Sequence, residues 1–153
     1  MENQIKEIVN QYIHKYNTRN PFKLADILGI EVQMGTPGCA GCYMFLKNHR
    51  YIFLDQNLTE MELLQVMAHE LGHAILHRKQ NCYFIRNKTL LLNSKTETEA
   101  NLFAAELLIC GDIILEHPEY TTSQLSRLLG YEERLIELWM QNQQLPGHTP
   151  ETF

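Results

Sequence analysis

Twelve consecutive residues, Val66-Met67-Ala68-His69-Glu70-Leu71-Gly72-His73-Ala74-Ile75-Leu76-His77, constrain this chain more than any other stretch. They carry H-E-x-x-H inside an apolar run that reads as helix. On a helix, positions i and i+4 lie on one face, one turn apart, so His69 and His73 can aim two imidazole nitrogens at a single point. Glu70 stands beside them. Two neutral imidazoles suit a borderline ion such as zinc, and an adjacent carboxylate can take a proton from a water that the ion polarises. The residues point to a metal hydrolase. The plainer alternative is a buried amphipathic helix whose histidines are merely satisfied. The functional reading therefore needs two things: a helix long enough to hold the motif, and a third ligand from elsewhere.

The first is present. Thr59-Glu60-Met61-Glu62 is a capping box, and Met61, Leu64, Met67, Ala68, Leu71 and Ile75 form an apolar stripe reaching about His77-Arg78. Gly72 costs about 1 kcal/mol against alanine in a helix interior, so close packing against a strand, or a substrate passing near, is expected there.

Around this helix the chain reads as one domain over residues 1–153. Residues 1–29 hold an amphipathic helix over 3–16 and a short one across Pro21–Leu28, opened by Asn20-Pro21 and stopped by Gly29. Residues 30–54 read as a small sheet of three strands: Ile30–Met34 with half-buried alternation, then Cys42–Leu46 and Tyr51–Leu54 as a hairpin. The polar turn Lys47–Arg50 is a solvated loop, or the hairpin edge takes an extended substrate by strand addition. Residues 59–110 hold the motif helix and a second helix capped by Ser94 and ended by Gly111, with a loop over 79–94 between them. Residues 112–142 form C-terminal helices around a glycine turn, and Pro146–Phe153 is expected to be loose.

Bulk properties narrow the function. A net charge of -5 leaves no basic stripe for phosphates, so no direct nucleic-acid partner is expected. The absence of a membrane-length apolar run or a leader-like start, with Cys39-Ala-Gly-Cys42 read as structural or incidental thiols rather than half a zinc site or a redox pair, makes a cytoplasmic protein the expectation. Cys82 could complete a site with a histidine, though no spacing demands it.

For the third ligand, His77 repeats the four-residue step, but three histidines on a straight helix spread over about 12 Å of axis and cannot converge on one ion. A capping or ligand-supporting role suits it better. Glu97 on the next helix is the better candidate, with Asn101 one turn on able to orient a ligand. Glu99 lies about 200° round the helix from Glu97 and is expected to face solvent. Ala100 and Ala104 permit a close approach of the two helices.

His69 to His77, followed by Glu97-Thr98-Glu99-Ala100-Asn101-Leu102-Phe103-Ala104-Ala105-Glu106-Leu107-Leu108, resembles the ImmA/IrrE family of zinc metallopeptidases, as does the entry Asn20 to Ile30. One departure is Cys110-Gly111, where members usually carry a proline after the leucine pair. The resemblance implies an α+β, gluzincin-like core: a small three-stranded antiparallel or mixed sheet packed on the zinc-binding helix pair, plus C-terminal helices. It also implies one Zn2+ per chain on His69, His73 and Glu97, and cleavage or antagonism of a helix-turn-helix repressor to derepress phage or mobile-element genes. In such a peptidase Glu70 accepts the proton of the attacking water, and a further donor stabilises the oxyanion; Tyr83 is the candidate, with aromatic packing as its plainer role.

Two rival functions stand beside this one. A non-proteolytic anti-repressor would use the helix pair as scaffold and bind a regulatory protein, with the helices at 122–140 as a docking surface. A helix-turn-helix DNA reader is disfavoured by Glu132, Glu133 and Glu137, which would repel phosphates.

Overall fold

The computed structural model describes residues 2–80 and 95–143. Over these residues seven helices and three strands run in the order α1 (Glu2–Tyr16), α2 (Pro21–Ile27), β1 (Glu31–Gly35), β2 (Gly41–Leu46), β3 (His49–Asp55), α3 (Glu60–Leu76), α4 (Lys95–Leu108), α5 (Gly111–Glu116), α6 (Thr122–Leu129) and α7 (Glu133–Asn142). The class is α+β. The expected loop over 79–94, its Tyr83 and Cys82, the Ser94 cap and the tail from Pro146 lie wholly or almost wholly outside the described residues.

Local chemistry sets most of the boundaries. Asn20 Oδ1 accepts from the backbone N–H groups of Phe22 and Lys23 at 2.9 and 3.3 Å, and Pro21 follows at the first helical position, where its missing N–H costs nothing. Thr59 and Glu62 close a reciprocal capping box at the head of α3, and Thr121 and Gln124 do the same for α6. Gly130 takes the left-handed conformation that ends α6.

The sheet is mixed, in the order β1-β3-β2. β1 runs parallel to β3, and β2 pairs antiparallel with it, so β2 is an edge. The β2–β3 turn is tighter than the sequence suggests. Only Lys47 and Asn48 lie outside the strands, both with positive φ (49° and 62°), the twist a two-residue hairpin requires. β1 also departs from simple half-burial: Met34 is 48% exposed.

α3 is the centre of the fold. Met67 through Ala74 are buried without interruption, a pattern that only a helix enclosed on every side can show. The sheet and α2 pack on one side of it and α4 on the other. Met67, Leu71, Ile52, Leu54, Leu24 and Phe103 are fully buried where these layers meet. Gly72 explains the closeness of the two helices. A Cβ there would sit 3.1 Å from Phe103 Cβ and 3.2 Å from the Ala100 backbone, so the missing side chain serves a helix and not the strand the sequence suggested.

α4 is held in place from both ends of the chain. Arg19 Nη1 donates to the carbonyls of Glu106 and Leu107 at 3.1 and 3.2 Å, at the helix end where carbonyls lack intrahelical partners. The buried carboxylate of Glu106 accepts from Asn142 and Gln143 of the C-terminal region. α4 itself stops at Leu108. Gly111, expected to end it, instead opens α5, seated where a Cβ would strike the Trp139 ring at 2.7 Å.

Candidate metal centre

His69 and His73 project from consecutive turns of α3, and Glu97 from the first turn of α4. His73 Nε2 lies 3.1 Å from His69 Nε2 and 2.9 Å from Glu97 Oε1, while His69 Nε2 lies 3.1 Å from Glu97 Oε2. The donor atoms of three residues thus converge on one small volume. A tetrahedral zinc with bonds of about 2.0–2.1 Å would hold its ligands roughly 3.3 Å apart, close to these separations. Among the described residues this is the one group of three His, Cys, Asp or Glu side chains that could hold a metal ion.

The ring orientations favour a cation over a chance cluster. His69 Nδ1 donates to Asn101 Oδ1 at 2.7 Å, which leaves the lone pair on Nε2 facing the centre. Burial pushes the His73 imidazole below its ordinary pKa, only partly opposed by the hydrogen bond and charge of Glu97, so at neutral pH it is the uncharged form that binds metals. Burial acting alone would raise the Glu97 carboxyl, but the two imidazoles that face it, His69 and His73, hold it well below the usual carboxylate range. Two lone pairs and a carboxylate within about 3 Å, in a buried site, need a cation or a proton between them.

Glu70 is fully buried between α3 and the edge strand β2. Its Cγ would be 3.3 Å from a Cβ on Gly41, which brings the β2 backbone directly against it. A cleft of about 560 Å³ opens beside the centre, its wall including His69, Glu97, Cys39, Val66, Glu132 and Arg134.

The structure brings together His69, His73, Glu97 and Asn101, with Glu70 adjacent. His77 stands outside the cluster: its backbone N–H caps α3 on His73 O at 2.8 Å, and its Nδ1 meets His73 Nδ1 at 3.2 Å. Tyr83 lies outside the described residues. Glu99 departs from expectation. Its side chain is only 17% exposed, and Oε2 sits 2.7 Å from His77 Nε2. The 200° rotation does turn it from Glu97, but towards the C-terminal end of α3 and not towards water. Gly41 also escaped notice, as nothing local marks which residue of a strand a distant helix will touch. Cys39, Cys42 and Cys110 are not cross-linked to one another, and the first of these lines the cleft.

An α+β scaffold that turns two helix-borne imidazoles and a carboxylate onto one point, with a second carboxylate beside them, belongs to the class of metal-dependent hydrolases. Residues 25–131 match the model described as the IrrE N-terminal-like domain, a peptidase family, and the chain belongs to that family. It is 36% identical over 138 residues to "uncharacterized immunity region protein 2" of Bacillus phage phi105, covering 88% of this chain and 87% of that one. It is 32% identical over 119 residues to "metallopeptidase ImmA" of Bacillus subtilis (strain 168), covering 76% of this chain and 69% of that one. No solved structure matches it significantly. The protein is a member of a metallopeptidase family, and no helix among its described residues is long and apolar enough to cross a membrane.

Proposed function

We propose that the protein is a zinc-dependent metalloendopeptidase of gluzincin type that cleaves a helix-turn-helix transcriptional repressor and so derepresses phage or mobile-element genes. The observation that carries the enzymatic part is the convergence of His69 Nε2, His73 Nε2 and the Glu97 carboxylate beside a buried Glu70. The regulatory part rests on likeness: one relative carries the name of a phage immunity-region protein and another that of the metallopeptidase ImmA.

His69, His73 and Glu97 would hold the ion, and when bound it supplies Lewis-acid polarisation of a water and of the scissile carbonyl. Glu70 moves the proton. Its carboxylate takes one from the attacking water as the O–C bond forms, then delivers it to the leaving amide nitrogen as the C–N bond breaks. Asn101 holds the His69 ring in the orientation that keeps Nε2 available. The β2 edge, which closes over Glu70, suits a substrate bound as an added strand beside the cleft.

Co-expression with a repressor encoded beside it, followed by mass spectrometry of that repressor, tests the proposal. A discrete cut, lost in Glu70→Gln while bound zinc stays near one per chain, is the expected result. An intact repressor in a stable complex would replace this reading with the binding-only anti-repressor. Normal cleavage by Glu70→Gln would refute the mechanism.

A further inference from the structure

Behind the metal centre a row of side chains leads away from the cleft. His73 Nδ1 lies 3.2 Å from His77 Nδ1, and His77 Nε2 lies 2.7 Å from Glu99 Oε2. Both outer groups are sheltered, with side-chain exposures of 8% for His77 and 17% for Glu99. Lys95 also approaches Glu99, at 3.9 Å, but is itself 69% exposed, so it competes weakly with His77.

Proton positions along this row are not free to vary. Glu99 as a carboxylate only accepts, so His77 must carry its proton on Nε2. In the neutral ring that leaves Nδ1 as a lone pair, able only to accept, and the facing His73 Nδ1 must then be the donor. With its proton on Nδ1, His73 presents a lone pair on Nε2, the atom that faces His69 and Glu97. One tautomer of each ring satisfies both contacts of this row and leaves His73 Nε2 bare towards the centre.

We infer that Glu99 acts through His77 as a positioning residue for His73, fixing the tautomer and orientation in which Nε2 can take a metal. This rests on the metal-centre reading above and extends it to a residue outside that centre. The two ligand histidines are then steadied in different ways. His69 is held by a neutral amide on α4, His73 by a carboxylate on α4 acting through an intervening imidazole. Such supporting groups typically change metal affinity about 10- to 100-fold. His77 and Glu99 act in series, so removing either one should forfeit the same support.

Zinc dissociation constants, measured by chelator competition on the full chain, test this. Glu99→Ala and His77→Ala should each weaken zinc binding about 10- to 100-fold, and the double variant should be no weaker than the worse single one. Glu99→Gln keeps an oxygen acceptor for the His77 N–H and should stay within about threefold of the parent. Parent-like affinity in Glu99→Ala, or losses that multiply in the double variant, would overturn the inference. Nitrogen-15 spectra of the unsubstituted, zinc-loaded chain give a readout that needs no variant: His77 should be protonated on Nε2 and bare on Nδ1, and the opposite pattern overturns the relay. A parent chain that binds no zinc defeats the metal-centre reading and this inference with it; tight zinc indifferent to Glu99 defeats the relay alone.

Discussion

His69 Nδ1 and Asn101 Oδ1 lie 2.7 Å apart, joined across 32 positions of sequence and two helices. The contact makes the orientation of a candidate ligand on α3 depend on the placement of α4. Glu97, on the same helix one turn earlier, is placed by the same packing. The centre is therefore as well ordered as the α3–α4 interface.

Asn101→Ala removes the acceptor and frees the His69 ring. Zinc affinity is expected to fall about tenfold or more. Asn101→Asp keeps an acceptor and is expected to bind at least as well as Ala. Chelator competition on the three proteins decides, and an unchanged constant in Asn101→Ala would show that the contact does not orient the ligand.

Gly41→Ala places a Cβ 2.6 Å from Val66 Cγ1 and 3.3 Å from Glu70 Cγ. The β2 edge must then move off α3 at the proposed proton carrier. A loss of about 1–3 kcal/mol in stability follows from such overpacking. Peptidase activity should fall further than stability explains, while zinc affinity stays within about twofold, as Gly41 touches none of the three donors. Denaturant titration, metal titration and cleavage of the same preparation separate these effects.

Gly72→Ala sets two effects against each other. Helix propensity favours alanine by about 1 kcal/mol. Against that, the new methyl would lie 3.2 Å from the Ala100 backbone, which cannot step aside without shifting α4. Overpacking of this kind costs about 1–3 kcal/mol, so a small net destabilisation is expected. The larger effect should be on zinc, since moving α4 moves Glu97 away from both histidines. A variant with raised stability and unchanged zinc affinity would contradict this account of the glycine.

The metal-free protein should lose stability in acid. The folded-state pKa of His73 lies below its ordinary 6.5, so below that value the unfolded chain binds more protons than the folded one. Stability then falls as pH drops from about 6.5. Glu97, held below its ordinary 4.5, adds a further loss as pH passes below that value. Neither group contributes a change between pH 7 and 9. Urea midpoints at pH 8, 6 and 4.5 should thus be highest at the first and fall progressively, and a flat profile would contradict the assigned shifts.

Whatever depends on neighbours within one turn was legible before any fold was known. Asn20 and Thr59 precede helices with the donors they cap only two or three residues away, so these starts are written locally. His69 and His73 share a face because four residues make about one helical turn. The same spacing puts Glu97 and Asn101 on one side of α4. The loss of periodicity at Gly35–Gly38 separated β1 from the hairpin without any knowledge of their pairing.

The contacts between elements were a different matter. Rotation about α4 correctly turned Glu99 from Glu97, but only the packing of the two helices decided that this direction led to His77 and not to water. Gly72 announced a close approach, and the fold decided that a helix, not a strand, made it. The parallel pairing of β1 with β3 and the edge position of β2 depend on a long return of the chain that no local pattern encodes. A side chain's rotation about its own element is set by short-range sterics and periodicity. What it meets there is set by the minimum-energy packing of the whole chain. Hence His69, His73 and Glu97 could be named in advance as partners, while the carboxylate behind His77 appeared only when α3 and α4 were laid together.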